Sequence, residues 1–444
     1  MKTFHTYRII LICALFCFGL SAIAFGWLLV RWWQGVSIEL WAQVFALVFG
    51  LLSVSIGGML VYRRNSLILP ERNSLILFLV IMMLCFIGSE YILRAWLIYS
   101  ASEDRFGVYA TYNMIKKRPL RYTSHPYLPF ALTPSYTNKE GDRHNSLGFR
   151  GEEIILPKPE GTFRIVTIGG STTYTAEVKT YKESYPYQLE QELRARGFTH
   201  VEVINAGVPF YDSWSIFVNL AFRVFDLDPD LIVYYEGDNE FKTHLVYPFE
   251  AFRGDNTGRV HAYREPTPTI IDHFVLTRMI FKPFGLTSDF NHLGALYDAQ
   301  TLFYDEYLEQ LRTHTYPSGI FVEHPVESFF EHNDQSYSKR NIEQMVELSK
   351  VRNIRFMIAS YAYAPLGIRA TTPVYQKFVF DFNSLLRDVA KKQGALFFDF
   401  AAHMSTDERY WVRDGVHVNA KGAQLKGKLF ADFLEPLLKR YGAR

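Results

Sequence analysis

Five short apolar runs, separated by segments with helical periodicity, constrain the fold of this 444-residue chain more than any other feature. The pattern predicts strands at residues 163–168, 201–204, 231–235, 354–360 and 395–400. Strands that alternate with helices in this way are typical of a parallel sheet with crossover connections. The chain after about residue 156 is therefore predicted to be an α/β domain with a mostly five-stranded parallel sheet.

The segments between the apolar runs carry helix signals. Pro186 lies near the start of a predicted helix at 187–196 and Gly197 follows its end, as is usual for proline and glycine at helix termini. Further helices are predicted at residues 214–225, 341–351 and 378–392. A final helix is indicated by an apolar stripe at Leu425, Leu429, Phe433 and Leu437.

Three longer apolar runs occupy the first hundred residues, at 9–30, 40–62 and about 75–93. Each is long enough to cross a bilayer at about 1.5 Å per residue, although Glu90 interrupts the third. Buried core helices are the alternative, but uncharged runs of this length favour membrane spans. Residues 1–100 are therefore predicted to be a membrane anchor with about three transmembrane helices.

Basic residues beside these runs predict the orientation of the chain. They are Lys2, Arg8, Arg63, Arg64 and Arg72. The N-terminus and the second loop should therefore face the cytoplasm, and the chain after residue 100 should lie outside it. Residues 22–24 also resemble a signal-peptidase site, but the first run continues beyond them, which favours an uncleaved anchor.

Two stretches depart from the strand and helix pattern. Residues 101–155 are polar and short of helical periodicity, and are predicted to be a linker with a few short strands. The sheet domain then spans residues 156–444. Within it the pattern is lost again at about 247–338, and we interpret this long stretch as an insertion over the mouth of the sheet.

Composition excludes several classes of function. The formal net charge is only +2, which gives no indication of a nucleic-acid partner. All three cysteines, Cys13, Cys17 and Cys85, lie in the apolar N-terminal runs. The polar part of the chain therefore cannot hold a disulfide or a cysteine-type metal site, and no metal or cofactor is expected.

Candidate site residues lie at four places in the sheet domain, each next to a predicted strand or helix. Ser171, Gly207 and Asn239 each come shortly after a predicted strand, and an Asp-Gly-Val-His run at 414–417 precedes the final helix. Ligands of a parallel α/β sheet gather at the carboxyl ends of its strands. Residues spread over some 250 positions are therefore expected to meet at one edge of the sheet.

These residue types fit nucleophilic acyl transfer. A serine hydroxyl needs a base to take its proton, which His417 can do for Ser171 if Asp414 holds the other ring nitrogen. The oxyanion that forms needs preorganised donors. The backbone N–H groups of Ser171 and Gly207 and the side-chain amide of Asn239 are the candidates.

At these residues the chain resembles the SGNH hydrolases, also called GDSL-like lipases and esterases. The likeness covers about residues 160–440 apart from the insertion. Its blocks are Gly-Gly-Ser-Thr ending at Thr172, Asn-Ala-Gly ending at Gly207, Gly-Asp-Asn-Glu ending at Glu240, and Asp-Gly-Val-His ending at His417. Glycine replaces the usual aspartate before the serine, and Glu240 stands where aspartate is common.

The resemblance implies a flavodoxin-like three-layer α/β/α sandwich and an acyl-serine mechanism without a metal. It also indicates a multi-pass protein of the bacterial inner membrane with a periplasmic domain. An ordinary α/β hydrolase is excluded, because Thr173 stands where the second glycine of its Gly-x-Ser-x-Gly turn should be.

Three functions remain open from the sequence. The first is a membrane-anchored serine esterase that removes acyl groups, including O-acetyl, from an envelope glycan or lipid. The second is an O-acyltransferase that uses the same acyl-serine site together with a membrane partner protein. The third is a non-catalytic envelope assembly protein on an esterase scaffold, which the intact set of Ser, Asn, Asp and His disfavours.

Overall fold

The computed structural model describes residues 72–118, 120–255, 267–288 and 301–442. The predicted membrane segments at 9–30 and 40–62 lie outside the described residues. The described chain divides into two compact units. The smaller holds residues 72–118 and 267–288, and the larger holds residues 120–255 and 301–442.

Helices and strands are numbered in chain order over the described residues. The α-helices are α1 (Arg72–Tyr99), α2 (Glu103–Tyr109), α3 (Tyr112–Lys117), α4 (Ser171–Tyr174), α5 (Tyr185–Ala195), α6 (Ser213–Asn219), α7 (Asp238–Thr243), α8 (Val275–Phe281), α9 (Tyr304–Thr313), α10 (Ile320–Glu323), α11 (Val326–His332), α12 (Ser336–Val351), α13 (Gly367–Ala370), α14 (Pro373–Gln393), α15 (Phe400–His403) and α16 (Ala420–Tyr441). The strands are β1 (Tyr122–Thr123), β2 (Ala131–Leu132), β3 (Phe163–Gly169), β4 (Val201–Asn205), β5 (Leu231–Tyr235), β6 (Arg355–Ala359) and β7 (Leu396–Phe398).

The smaller unit consists of α1, α2, α3 and α8 with short 3-10 turns. Glu90 of α1 is buried, and its carboxylate accepts hydrogen bonds from the backbone N–H groups of Val275 and Leu276, both at 2.9 Å. It therefore caps α8 while it pairs with Arg94. The predicted third membrane segment, 75–93, lies within α1. Over the described residues, no helix is both long and apolar enough to cross a membrane.

The larger unit contains a sheet of five parallel strands in the spatial order β4-β3-β5-β6-β7. Counted along the chain from β3 this order is 2-1-3-4-5, the flavodoxin-like arrangement. Each strand lies within two residues of its predicted position. The prediction of a parallel α/β sheet is confirmed, and the reason is burial: β3 and β5 are almost wholly inaccessible, so they are nearly continuous apolar runs.

Helices cover this sheet in two groups. α5 packs against α16, and α12 packs against α6 and α14. The chain moves from β3 to β4 in one direction along the sheet and then returns past β3 to β5. Because such crossovers are right-handed, the first direction places α5 on one face of the sheet. The other crossover helices lie on the opposite face. This reversal of direction creates a crevice at the carboxyl ends of β3 and β5, where Ser171 and Asn239 emerge.

The predicted helix at 214–225 is interrupted in the structure. The α-helical part ends at Asn219, and a π-helical turn over Leu220–Val224 and a 3-10 turn over Phe225–Leu227 follow. Asp212 caps the start, since its side chain accepts a hydrogen bond from the backbone N–H of Ser215. Apolar spacing identifies the buried face of such a segment but not a change in its helical pitch.

The predicted linker at 101–155 has more structure than its composition indicated. It contains α2 and α3, and its second part folds with the larger unit. Arg150 attaches this second part to the larger unit. It is buried and pairs with buried Asp142 at 2.9 Å, and it donates to the carbonyl oxygens of Tyr174 and Thr175. The stretch predicted as an insertion contributes α9, α10 and α11 to the larger unit and α8 to the smaller one.

Candidate active site

Ser171 lies where β3 turns into the short helix α4, and it is 7% exposed. The residue before it is held against two neighbours. A Cβ atom on Gly170 would lie 2.3 Å from Asn239 Nδ2 and 2.3 Å from Glu236 Oε2. Glycine therefore stands before the serine because no side chain fits there in this chain.

The Ser-His-Asp residues predicted from sequence meet at the carboxyl edge of the sheet. Ser171 Oγ lies 2.7 Å from His417 Nε2, and His417 Nδ1 lies 2.5 Å from Asp414 Oδ2. Asp414 Oδ1 accepts the backbone N–H groups of Val416 and His417, at 2.9 and 3.0 Å. The carboxylate is thus fixed by its own loop and orients the imidazole towards the serine.

The environment of Asp414 keeps this carboxyl group ionised. Burial acts to raise the pKa of Asp414, but the hydrogen bond and charge of His417 and the two backbone donors outweigh it, so the pKa lies below its ordinary value. An ionised Asp414 accepts the Nδ1–H of His417. Nε2 of His417 is then the nitrogen without a proton, which is the form that can take the proton of Ser171.

Asn239 is held in one orientation at the start of α7. Its backbone N–H donates to Glu236 Oε1 at 2.9 Å, and its Nδ2 donates to the carbonyl oxygen of Tyr211 at 3.0 Å. Lys242 Nζ lies 3.4 Å from its Oδ1. These partners distinguish the amide nitrogen from the oxygen, and the second N–H of Nδ2 is left for an oxyanion.

The two backbone N–H groups predicted to bind the oxyanion differ in whether they already have an acceptor. The N–H of Ser171 is at the first position of α4, where helical N–H groups have no intrahelical acceptor. The N–H of Gly207 already donates to the side chain of Asn205, at 3.1 Å. Gly207 also packs closely on the nucleophile helix, since a Cβ there would lie 2.4 Å from the backbone nitrogen of Tyr174. An oxyanion would therefore share the Gly207 N–H with Asn205.

A buried ionic cluster beside the site was not predicted from the sequence. Asp238 Oδ1 lies 2.7 Å from Arg369, Asp238 Oδ2 lies 2.9 Å from Lys242, and Tyr375 donates to Oδ1 at 2.9 Å. Arg369 also donates to the hydroxyl of Tyr304. Burial acts to raise the pKa of Asp238, but Arg369 and Lys242 hold it well below its usual range. The position of Asp238 directly before Asn239 was the only available signal.

Loss of the Asn239 amide tests its role directly. We expect Asn239→Ala to lower kcat about 100- to 1000-fold with a much smaller effect on KM, because the oxyanion exists only along the reaction path. Asn239→Asp has the same shape but lacks the N–H donor, and it should lose a similar factor. Steady-state kinetics of both variants with an aryl ester check this. A KM effect with unchanged kcat would instead assign Asn239 to substrate binding.

Among the described residues, no group of three or more His, Cys, Asp or Glu side chains could hold a metal ion. The expectation that the reaction needs no metal or cofactor stays a prediction.

A serine, a histidine and a carboxylate in contact at the carboxyl edge of a parallel α/β sheet form the site of a serine hydrolase. The family model for the GDSL-like lipase/acylhydrolase family matches residues 167–425, and the chain belongs to this family. The protein is accordingly a carboxylic ester hydrolase. No curated protein matches the chain.

Solved structures similar to this chain come from several bacteria. A lipase/acylhydrolase from Enterococcus faecalis is 15% identical, with 62% of this chain and 96% of that one covered and a TM-score of 0.36. A GDSL-like lipase from Bacteroides thetaiotaomicron is 17% identical, with 64% and 93% covered and a TM-score of 0.35. A catalytic mutant of an acetylxylan esterase from Geobacillus stearothermophilus is 12% identical, with 63% and 95% covered and a TM-score of 0.36.

Proposed function

We propose that this protein is a membrane-anchored serine esterase that removes acyl groups, including O-acetyl, from an envelope glycan or lipid. The observation that carries the serine mechanism is the continuous contact from Ser171 Oγ to His417 and on to Asp414, at 2.7 and 2.5 Å. Distances of this length are those of a nucleophile and its general base.

The reaction proceeds in two halves. Ser171 Oγ attacks the ester carbonyl carbon as its proton passes to His417 Nε2, and Asp414 stabilises the imidazolium. The backbone N–H of Ser171 and the side-chain amide of Asn239 stabilise the oxyanion. The intermediate collapses when the alcohol leaves with the proton from His417. Water then attacks the acyl-serine in the same way, which releases the acid and restores the Ser171 hydroxyl.

Anchorage in the bacterial inner membrane is supported by the apolar runs at 9–30 and 40–62 and by the basic residues beside them. Helix α1 adds an exposed apolar face that includes Met83, Leu84 and Tyr91, with exposed fractions of 56%, 59% and 70%. This orientation brings Ser171 to the periplasm, where acylated glycans and lipids of the envelope are accessible.

A reporter fusion tests the orientation. Alkaline phosphatase fused after Arg444 should be active in cells, because this enzyme folds only outside the cytoplasm. A fluorescent protein that matures only in the cytoplasm should be dark at the same position. The reverse pattern would place the esterase domain in the cytoplasm and exclude an envelope substrate.

Acyl specificity is tested with the full chain in detergent. Aryl esters of acetate, butyrate and octanoate are compared by kcat/KM, and acetate is expected to be the best substrate. De-O-acetylation of an acetylated envelope glycan, followed by released acetate, then tests the natural reaction. A clear preference for octanoate would contradict an O-acetyl substrate and point to a lipid ester.

A further inference from the structure

The turn that carries Ser171 is contacted on both sides by buried charged groups. On one side, the backbone N–H of Gly170 donates to Glu236 Oε2 at 2.6 Å. On the other side, Lys426 Nζ donates to the carbonyl oxygen of Thr172 at 3.0 Å. The residues immediately before and after the nucleophile are therefore each bound by a buried ionisable side chain.

Glu236 also connects this turn to the oxyanion donor. It is completely buried, and its second oxygen, Oε1, accepts the backbone N–H of Asn239 at 2.9 Å. One carboxylate thus fixes the distance between the Gly170 end of the nucleophile turn and the residue that offers the side-chain amide. Loss of these two hydrogen bonds would free both segments at once.

Lys426 comes from the final helix, α16, and is 2% exposed. Its ammonium group lies 3.5 Å from the ring centroid of Tyr235 and 3.9 Å from that of Tyr185. Aromatic faces stabilise a buried cation, but they give it no hydrogen-bond acceptor of the strength of a carboxylate. The carbonyl oxygen of Thr172 accepts a hydrogen bond from Lys426 Nζ, so this nitrogen is bound directly to the nucleophile turn.

We infer that Glu236 and Lys426 are positioning residues that hold the turn of Ser171 in the geometry needed for attack, with Glu236 acting in its ionised form. The inference rests on the proposed serine-esterase function and adds two residues that act through Ser171. An ionised carboxylate fits these contacts, because both oxygens of Glu236 accept a backbone N–H.

If Glu236 acts in its ionised form, activity should depend on pH. Burial raises the pKa of Glu236 to about 8, although the N–H groups of Asn239 and Gly237 oppose the rise. Asp238 and Glu240 raise it further. Lys426 is the facing cation; burial lowers its own pKa well below the ordinary value, and Glu236 opposes this. The phenols of Tyr235 and Tyr361 also face the carboxylate.

The pKa of Glu236 sets the direction in which activity changes with pH. Glu236 loses its proton as the pH rises through about 8. The ionised form that binds both N–H groups is therefore favoured above that pH, and activity should rise across it.

The test compares pH profiles of the full-length wild type, Glu236→Gln and Lys426→Met between pH 6 and 10 with a neutral aryl acetate. At pH 8 both variants should lose kcat by about 10- to 100-fold, since small misplacements of a nucleophile cost this much, while KM stays within about twofold. The rise near pH 8 should vanish in Glu236→Gln.

Lys428→Met is the matched control, because Lys428 is exposed two residues away on the same helix. It should behave as the wild type. Circular dichroism and thermal unfolding report whether each variant folds, and Glu236→Asp, which keeps the charge, should recover part of the activity. Folded variants with wild-type kcat and pH profile would overturn the inference and leave the esterase function intact.

A measurement on the wild type alone covers the case in which the variants do not fold. The rate at which a fluorophosphonate labels Ser171 should rise through about pH 8, and a rate that is flat between pH 7 and 9 would overturn the inference. Absence of any labelling or ester hydrolysis by the wild type would overturn the proposed serine mechanism as well, so the two failures are distinguishable.

Discussion

Replacement of Ser171 by alanine is expected to lower kcat for aryl ester hydrolysis by about 10⁴- to 10⁶-fold. The reason is that the hydroxyl 2.7 Å from His417 Nε2 is the atom that forms the acyl bond. His417 and Asp414 act through Ser171, so replacing His417 in the Ser171→Ala background should cost little more. Burst and steady-state kinetics of the two single variants and the double variant measure this.

Ser336→Ala is the matched control for the serine substitution, because Ser336 is exposed at the start of α12. It should retain wild-type turnover. Turnover by Ser171→Ala within about tenfold of the wild type would show that another group performs the chemistry, since loss of a nucleophile cannot have so small an effect.

Replacement of Arg369 by leucine is expected to destabilise the protein by about 3–5 kcal/mol. Asp238 is 1% exposed at its side chain and Arg369 is 9% exposed, and their ion pair is 2.7 Å long. Removal of the arginine leaves a buried carboxylate with Lys242 as its remaining cation. Because a buried carboxylate that loses one of its two cations is costly, the effect should exceed that of a surface pair. Urea unfolding of the full chain measures the change.

Arg387→Leu serves as the comparison for this second prediction. Arg387 pairs with Asp399 at 2.6 Å, but its side chain is 53% exposed. Its loss should cost no more than about 1 kcal/mol. The double variant Asp238→Asn/Arg369→Leu should be less destabilised than the sum of its single changes, because it removes the carboxylate that Arg369 neutralises. Equal small effects for Arg369 and Arg387 would contradict the account of the buried cluster.

The sheet and the meeting of Ser171, His417 and Asp414 could be anticipated from the sequence for physical reasons. Strands buried on both faces are nearly continuous apolar runs, and parallel strands bring their carboxyl ends to one edge. The three residues needed only that topology to come into contact, since Asp414 lies three positions from His417. The catalytic role of each stays a prediction until the variants are measured.

Other parts of the site depend on contacts that no spacing reveals. The backbone N–H of Gly207 donates to the side chain of Asn205. This contact depends on the conformation of the turn between them. Glu236 extends an apolar strand, and a charge there could equally have marked the strand's exposed end. Lys426 has Gly422 and Phe430 one turn away on either side, both buried, so its burial follows from the helix face although its charge suggests solvent.

The central claim is that His417 activates Ser171, and covalent labelling tests it most directly. The full chain in detergent is incubated with a fluorophosphonate at pH 8, digested, and the modified peptide is identified by mass spectrometry. We expect one adduct, on Ser171, and its loss in His417→Ala at the same protein concentration. An adduct on a different residue, or labelling of Ser171 that is equally fast without His417, would contradict the account.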